Sequence, residues 1–253
     1  MSGEAASRTN IKLPGQQSEL IKLIRKEFPE KEMILILMNG RPLDLSKEAS
    51  IVDSILEVWY PGTSGGLGVA DILFGEYNPS GKLPITFPRN IGQVPLYYNM
   101  KNTGRPISID NPKEDYKSNY IDSPNTPLYS FGHGLSYTKF DYSEITLSNT
   151  KIGFSDVLEA SVIIKNTGKL DGHEIAQLYI RDKIGSITRP IKELKGFKKI
   201  FLKSGESKKV VFKISSDDLK FHNSKELIVE PGEFEIAISA SSDFNFEKSF
   251  ELR

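Results

Sequence analysis

The chain has 253 residues, with 33 basic and 33 acidic side chains and 38% hydrophobic residues. This length allows one large domain or two ordinary ones with a substantial core, and we expect two. Zero formal charge argues against electrostatic binding of nucleic acid or of an anionic membrane. It is compatible with a neutral partner such as a sugar. The lack of cysteine excludes disulfides and thiol catalysis, and the three histidines, His133, His173 and His222, have no metal-ligand spacing. No apolar run is long enough to span a bilayer, and the first residues lack the basic and apolar regions of a signal peptide.

Residues 1–13 are predicted to form a loop, because small side chains dominate there and the turn dipeptide Pro14-Gly15 follows. The loop carries one carboxylate, Glu4, and one arginine, Arg8. A loop with a single carboxylic acid is a plausible carrier of the general acid/base of an enzyme. The alternative is an ordinary solvated glutamate in a frayed terminus.

Alternating helix and strand patterns over residues 16–75 predict an α/β domain. Apolar residues recur at helical spacing over residues 16–28, and the run 33–38 has the length of a strand buried on both faces. A second strand is expected over residues 54–60, followed by a glycine-rich turn and a helix that Gly75 caps. The turn lacks the P-loop lysine and the full G-x-G-x-x-G spacing, so we interpret it as a packing turn rather than a phosphate site.

Periodicity fails between about residues 91 and 137, where Asn, Pro, Gly, Ser and Tyr accumulate. A loop this long is normally functional or a domain connector, and we expect a connector that wraps the surface. Its tyrosines could stack on sugars, but we favour their acting as anchors for the connector. These tyrosines are Tyr97, Tyr98, Tyr116, Tyr120 and Tyr129.

From Thr138 onward the residues alternate as in strands, and helical patterns vanish. Ala176, Leu178 and Ile180, for example, alternate with more polar neighbours. Some seven short strands separated by glycine turns predict an antiparallel β-sandwich of the immunoglobulin or fibronectin type III kind.

Eight segments together resemble the C-terminal half of the family three glycoside hydrolases, in the bacterial periplasmic β-glucosidase branch, and they occur in that family's order. The segments are residues 2–8 (SGEAASR), 37–43 (LMNGRPL), 59–66 (WYPGTSGG), 70–75 (ADILFG), 78–84 (NPSGKLP), 102–106 (NTGRP), 131–137 (FGHGLSY) and 186–197 (SITRPIKELKGF). The resemblance implies a partial, flavodoxin-like α/β sandwich followed by a fibronectin type III-like β-sandwich. We assign residues 1–92 to the α/β part, 93–137 to the connector and 138–253 to the β-sandwich.

By resemblance, Glu4 occupies the acid/base position and Arg8 is a substrate-binding candidate that closes the family's Ser-Gly-Glu-Gly-x-Asp-Arg signature. Ala5 and Ser7 depart from that signature, at the usual glycine and aspartate. The resemblance also implies that the nucleophile belongs to an N-terminal (β/α)8 barrel, which we do not find in this sequence. No second catalytic acid is evident in the chain, because capping and solvation explain the positions of Asp44, Asp53, Asp71 and Asp217. Arg41, just after the first predicted strand, could edge the site because ligands gather at the C-terminal ends of strands in open α/β sheets, but we favour a structural pairing for it.

The resemblance therefore predicts the C-terminal portion of a retaining exo-β-glycosidase, inactive without the barrel, because retaining hydrolysis needs two carboxyl groups. The implied partners are a β-linked glucoside or oligosaccharide and the missing barrel, with no nucleic acid or membrane, no cofactor and no metal. A periplasmic or extracellular location is expected for the complete protein. The alternative is a non-catalytic module that binds carbohydrate or protein, and a flavodoxin-like nucleotide binder is disfavoured by the incomplete glycine motif.

Overall fold

The structure, a computed structural model, describes residues 5–106 and 115–253. Its described residues divide into two compact units. Among these residues, the first unit comprises 5–77, 85–96 and 120–129, and the second comprises 78–84, 97–106, 115–119 and 130–253. None of the helices in the described residues is both long enough and apolar enough to cross a membrane.

The first unit has the expected α/β order. Helix α1 spans Gln17–Glu27, strand β1 Ile34–Leu37, strand β2 Ser54–Glu57 and helix α2 Gly65–Leu73. Strands β1 and β2 pair in parallel, with Ile34 opposite Ser54 and Leu37 opposite Glu57. Gly75 follows α2 with φ +80°, the left-handed conformation that ends helices at glycine, so its predicted role as the cap is confirmed.

Arg25 ties α1 to the sheet. Its guanidinium donates to Asp53 Oδ2 at 2.6 Å and to the carbonyl of Ile51 at 2.9 Å. The same Asp53 oxygen accepts from the Met33 N–H at 2.7 Å, and this bond and Arg25 hold the pKa of Asp53 below its usual range. Asp53, the residue just before β2, therefore links the helix α1 to Met33, the residue just before β1.

The expectation that the first strand is buried on both faces is wrong for this chain. Ile34 and Ile36 are 47% and 38% exposed, whereas Leu37 is buried. Among the described residues β1 pairs only with β2, so the two-stranded sheet lacks the further strands and covering layer that such an apolar run normally has. The apolar side of α1 is likewise open, with Leu20 and Leu23 more than half exposed.

The second unit contains the predicted sandwich. Its strands are β3 (Phe140–Tyr142), β4 (Thr146–Leu147), β5 (Lys151–Ile152), β6 (Leu158–Asn166), β7 (Gly172–Asp182), β8 (Glu193–Leu202), β9 (Ser207–Ile214), β10 (Phe221–His222), β11 (Leu227–Ile228), β12 (Gly232–Ser239) and β13 (Lys248–Leu252). One sheet has the order β5-β13-β12-β7-β8, and in the other β6 pairs with β3, β4 and β9. All pairs within these two sheets are antiparallel except the short contact between β5 and β13.

The alternating residues form the core between the sheets, as the pattern predicts. Leu158, Ile164, Ile214 and Ile236 are fully buried within one continuous cluster. Burying such side chains stabilises the fold by about 1.5–3 kcal/mol each.

Strand β7 departs from the expected single buried face. Tyr179 is fully buried although it points away from the core between the sheets, because Tyr98 and Phe244 cover that face. Tyr98 also stacks on Phe131, with ring centroids 4.2 Å apart. One predicted connector tyrosine is thus an anchor on the sandwich.

Residues 78–84 are part of the second unit and pack on its strands. Asn78 Oδ1 accepts from the Tyr137 N–H at 2.8 Å, and Asn78 Nδ2 donates to the Asp171 carbonyl at 2.9 Å. Lys82 Nζ lies 3.3 Å from Glu174 Oε1, and both side chains are nearly buried. Hydrogen bonds and an ion pair, rather than burial of apolar surface, therefore hold this short segment on the sandwich.

Candidate active site

The predicted acid/base, Glu4, lies outside the described residues. The described chain begins at Ala5, whose positive φ of 55° is uncommon for a residue with a side chain. The family pattern has glycine at that position, and glycine adopts positive φ without steric cost.

The loop that follows Glu4 is fixed against the segment after β1. Ile11 is buried, and its carbonyl accepts from the Asp44 N–H at 3.0 Å. Arg41 donates from Nη2 to the backbone carbonyl of Arg8. Arg41 therefore has a structural partner in this loop, in line with the prediction, and it orders the backbone four residues after Glu4.

A cleft of about 920 Å³ opens beside this loop, within the first unit. Arg8, Asn10 and Lys12 line one side of it, and the apolar residues of β1 and α1 line another. Asn39 and Arg41, which follow the carboxyl end of β1, also line it. In open α/β sheets ligands gather at that end of the strands. Arg8 is half-buried here, so the cleft brings a guanidinium and exposed apolar surface together.

Tyr60 borders the same cleft and is 65% exposed. A Cβ added to Gly40 would lie 2.6 Å from Tyr60 Oη, so the ring packs directly on the glycine backbone. Gly40 thereby sets the position of an aromatic ring at the rim, a geometry that suits stacking on a sugar.

Glu57 is a carboxyl group that the sequence analysis did not select. It ends β2, next to Asn39 at the end of β1, because parallel strands bring their carboxyl ends to one edge. Its Oε1 accepts from the Trp59 N–H at 2.9 Å, while Glu57 Oε2 and Asn39 Oδ1 are buried with no hydrogen-bond partner among the described residues. Burial raises the pKa of Glu57, against the opposing effects of Trp59 and Asn39. The feature of the sequence that could have pointed to Glu57 is that it is the one acidic residue in a largely apolar predicted strand, residues 54–60.

The carboxylates that were expected to serve capping and solvation lie elsewhere, and so does His133. Asp217 is exposed and pairs with Lys220 at 2.6 Å in a short helical turn, and Asp71 is exposed on α2. Asp44 is buried, and its Oδ1 lies 3.4 Å from the Ser46 N–H. His133 is half-buried in the second unit, where burial and Lys82 lower its pKa. None of these four residues lines the cleft in the described chain.

Comparison with protein families gives two matches. Residues 1–137 match the glycosyl hydrolase family 3 C-terminal domain, and residues 174–242 match the fibronectin type III-like domain. Both halves of the predicted fold, α/β and β-sandwich, are therefore confirmed.

Individual relatives extend over the whole chain. A periplasmic beta-glucosidase of Salmonella typhimurium is 49% identical over 253 residues, which is 100% of this chain and 33% of the relative. A beta-xylosidase of Formosa agariphila is 43% identical over 99% of this chain and 33% of its own length. The crystal structure of a Listeria innocua beta-glucosidase in complex with isofagomine superimposes with a TM-score of 0.92 and 40% identity, covering 99% of this chain and 35% of that one. The chain thus spans about a third of the length of the relatives it matches. With the family 3 model matching more than half of its residues, this chain belongs to glycoside hydrolase family 3 and carries the C-terminal domain of that family together with a fibronectin type III-like domain.

Proposed function

We propose that the chain is the C-terminal third of a retaining exo-β-glucosidase or related β-glycosidase, and that it supplies the general acid/base, Glu4. The observation that carries this proposal is the 49% identity with a periplasmic beta-glucosidase along all 253 residues. The cleft next to the Arg8 loop supports it, because that loop follows Glu4 directly and is ordered by Arg41.

The chemistry requires a second carboxylate from outside this chain. A retaining glycosidase uses a nucleophile and an acid/base about 5–5.5 Å apart on either side of the glycosidic bond. The nucleophile would come from an N-terminal barrel in the complete protein. The exposed apolar residues of β1 and α1 support the need for further polypeptide around this unit, since apolar patches of this kind normally mark interaction surfaces.

Arg8 is proposed to bind the substrate. A half-buried guanidinium at the rim of the cleft can donate paired hydrogen bonds to neighbouring sugar hydroxyls. A β-linked glucoside or oligosaccharide is the proposed substrate class, and a periplasmic or extracellular location is proposed for the complete protein. Arg8→Gln should then raise KM more than it lowers kcat.

The test restores the missing polypeptide. The chain is joined to the N-terminal two-thirds of the Salmonella typhimurium relative, and Glu4→Ala is compared with the parent. Loss of a general acid should slow cellobiose or an alkyl glucoside by roughly two to four powers of ten. Glycosylation by a dinitrophenyl glucoside should change far less, because its leaving group does not need a proton. Added azide should accelerate the second step by attacking without a base.

Glu19→Ala is the matched control, since Glu19 is an exposed carboxylate on α1 that pairs with Lys22. It should leave kcat and KM unchanged on both substrates. Uniform slowing of Glu4→Ala on both substrates, with lower thermal stability and no azide rescue, would assign Glu4 a structural role instead.

A further inference from the structure

The hairpin of β8 and β9 concentrates positive charge. Residues 195–213 hold seven lysines and one carboxylate, Glu206, in a chain whose formal net charge is zero. The lysines are Lys195, Lys198, Lys199, Lys203, Lys208, Lys209 and Lys213. Such local asymmetry marks a surface that attracts anions even when the whole molecule is neutral.

Most of this charge is not neutralised within the protein. Lys195 lies 3.6 Å from Glu193 and Lys213 lies 3.6 Å from Glu159. The other five form no ion pair with any residue that the structure describes, and all five are exposed. The hairpin therefore has several lysines available for an external anion.

One face of β8 combines lysine with aromatic rings. Phe197, Lys199 and Phe201 are alternate residues and so point to the same side of the strand, spaced about 6.7 Å apart. Phe197 is 67% exposed and Phe201 45% exposed, and the ring of His173 lies 5.1 Å from that of Phe201. Lys203 follows at the end of the strand. We call these four residues, Phe197, Lys199, Phe201 and Lys203, the Lys–Phe surface.

Protection of a sheet edge explains only part of this pattern. Strand β8 is the last strand of its sheet, and lysines on such strands discourage pairing with other chains. Edge protection does not call for two exposed phenylalanines, which add apolar area to a surface that protection would keep polar. The rings and charges together indicate a ligand with an apolar face and negative groups.

We propose that the Lys–Phe surface binds an anionic polysaccharide, such as a chain of uronic acid units. The flat C–H faces of successive sugar rings would stack on Phe197 and Phe201, and carboxylates would pair with Lys199 and Lys203. A straight strand that presents ring, charge and ring in line matches a linear polymer. The surface would hold a polymeric glycan on the protein without taking part in bond cleavage.

The ligand class follows from two considerations. Lysines interleaved with the rings would meet a bilayer surface before the rings reach its apolar interior, which disfavours a lipid surface. The choice of a glycan among polyanions also rests on the proposed glycosidase function, whereas the presence of an anion-binding surface does not.

The test measures binding by the full chain, without catalysis. Polygalacturonate is titrated onto the protein at about 50 mM and about 500 mM NaCl, with its methyl-esterified form as the uncharged counterpart. Binding is expected only for the charged polymer and should be strongly weakened at the higher salt concentration. Lys199→Gln/Lys203→Gln should weaken binding roughly tenfold, and Phe197→Ser about fivefold.

The control is Lys151→Gln/Lys248→Gln, which removes the same charge from β5 and β13, the two strands farthest from β8 in the same sheet. It should change affinity less than twofold. Acetylation footprinting of the unmodified chain gives a second measurement, and polygalacturonate should protect Lys199 and Lys203 but not Lys151.

Equal weakening by both lysine pairs, or no protection of Lys199, would overturn the proposal. So would tighter binding to phosphatidylglycerol vesicles or to poly(dT), which would assign the surface to lipid or nucleic acid. Loss of glycosidase activity in the Glu4 experiment has no bearing on these outcomes, so the two proposals fail separately.

Discussion

Glu57 places an unpaired carboxyl oxygen at the carboxyl edge of the small sheet. Its raised pKa means that folding favours the neutral acid. The contribution of the neutral acid to folding stability is fully present below pH 4.5, the ordinary pKa of this group in an unfolded chain. It is lost as the pH rises through the higher pKa that the group has in the folded protein. Gln at this position would keep the bond from Trp59 and would offer an N–H to the buried Asn39 oxygen.

We therefore predict that Glu57→Gln stabilises the first unit at neutral pH but not at pH 4. The gain should be about 1 kcal/mol or less, because Glu57 is only half-buried and solvent screens it. Urea unfolding followed by the fluorescence of Trp59, the one tryptophan of the chain, measures it. A stability difference that stays constant between pH 4 and pH 7 would refute the assigned titration.

Glu174 is a buried carboxylate that forms a hydrogen bond and an ion pair inside the second unit. It accepts from the Tyr142 hydroxyl at 3.0 Å and pairs with Lys82, which also donates to the Gly134 carbonyl at 2.9 Å. Removing one partner of such a pair leaves a buried charge and typically costs 3–5 kcal/mol.

We predict that Lys82→Met lowers the free energy of unfolding of the second unit by about 3 kcal/mol, and that adding Glu174→Gln recovers much of the loss. Hydrogen exchange of the β6 and β7 amides measures both. Lys183→Met is the control, because Lys183 and Glu233 form an exposed pair that should contribute less than about 1 kcal/mol. Equal losses in Lys82→Met and Lys183→Met would show that the buried pair adds nothing.

Local sequence could not predict this pair. Alternation along β7 places Glu174 on the buried side with Ala176, so its burial was readable from the pattern. Its partner lies 92 residues earlier in the sequence, and only the tertiary fold brings Lys82 beside it. Glu57 was missed for a similar reason, since its environment depends on the pairing of two strands.

Strand periodicity predicted the sandwich better than it predicted the small sheet. The alternating residues of β6, β9 and β12 are buried as expected because both sheets of the sandwich are within the chain. The burial of β1 was overestimated because a continuous apolar run is typical of a strand with neighbours on both sides and a covered sheet. Among the described residues β1 pairs only with β2.

The sandwich should fold without the first unit. Its apolar core lies entirely within residues 145–252, so a polypeptide of residues 138–253 should melt cooperatively. Without residues 78–84, however, Glu174 loses Lys82. Glu174→Leu should therefore stabilise the shortened polypeptide while destabilising the full chain, because an apolar residue is then better than an unpaired buried charge.

Circular dichroism melts of the full chain and of residues 138–253, each with and without Glu174→Leu, test whether the effect of the substitution on stability changes sign. An effect of the same sign in both lengths would mean that Lys82 does not compensate Glu174. Failure of residues 138–253 to fold while residues 1–137 melt cooperatively would assign independent stability to the α/β part.

The chain by itself should lack glycosidase activity. If the nucleophile lies outside this chain, as the proposed function requires, the chain alone has no route to a glycosyl-enzyme intermediate, whichever residue supplies the proton. Assay of the pure 253-residue chain with an aryl β-glucoside should give no turnover above that of Glu4→Gln. Steady turnover that disappears in Glu4→Gln would reveal a second catalytic carboxylate, and Glu57→Gln would then show whether Glu57 is that group.

The division of the chain also constrains how such a gene can recombine. The backbone passes between the two units after residues 77, 84, 96, 119 and 129, so neither unit corresponds to one continuous stretch of sequence. A single crossover within residues 78–129 would give a descendant in which both units mix segments from two parents, whereas a crossover before or after that span mixes only one unit. Segment 78–84, with Lys82, would then have to match a Glu174 inherited separately. Shuffled libraries of relatives should therefore lose function more often at crossovers inside this span than at crossovers before or after it.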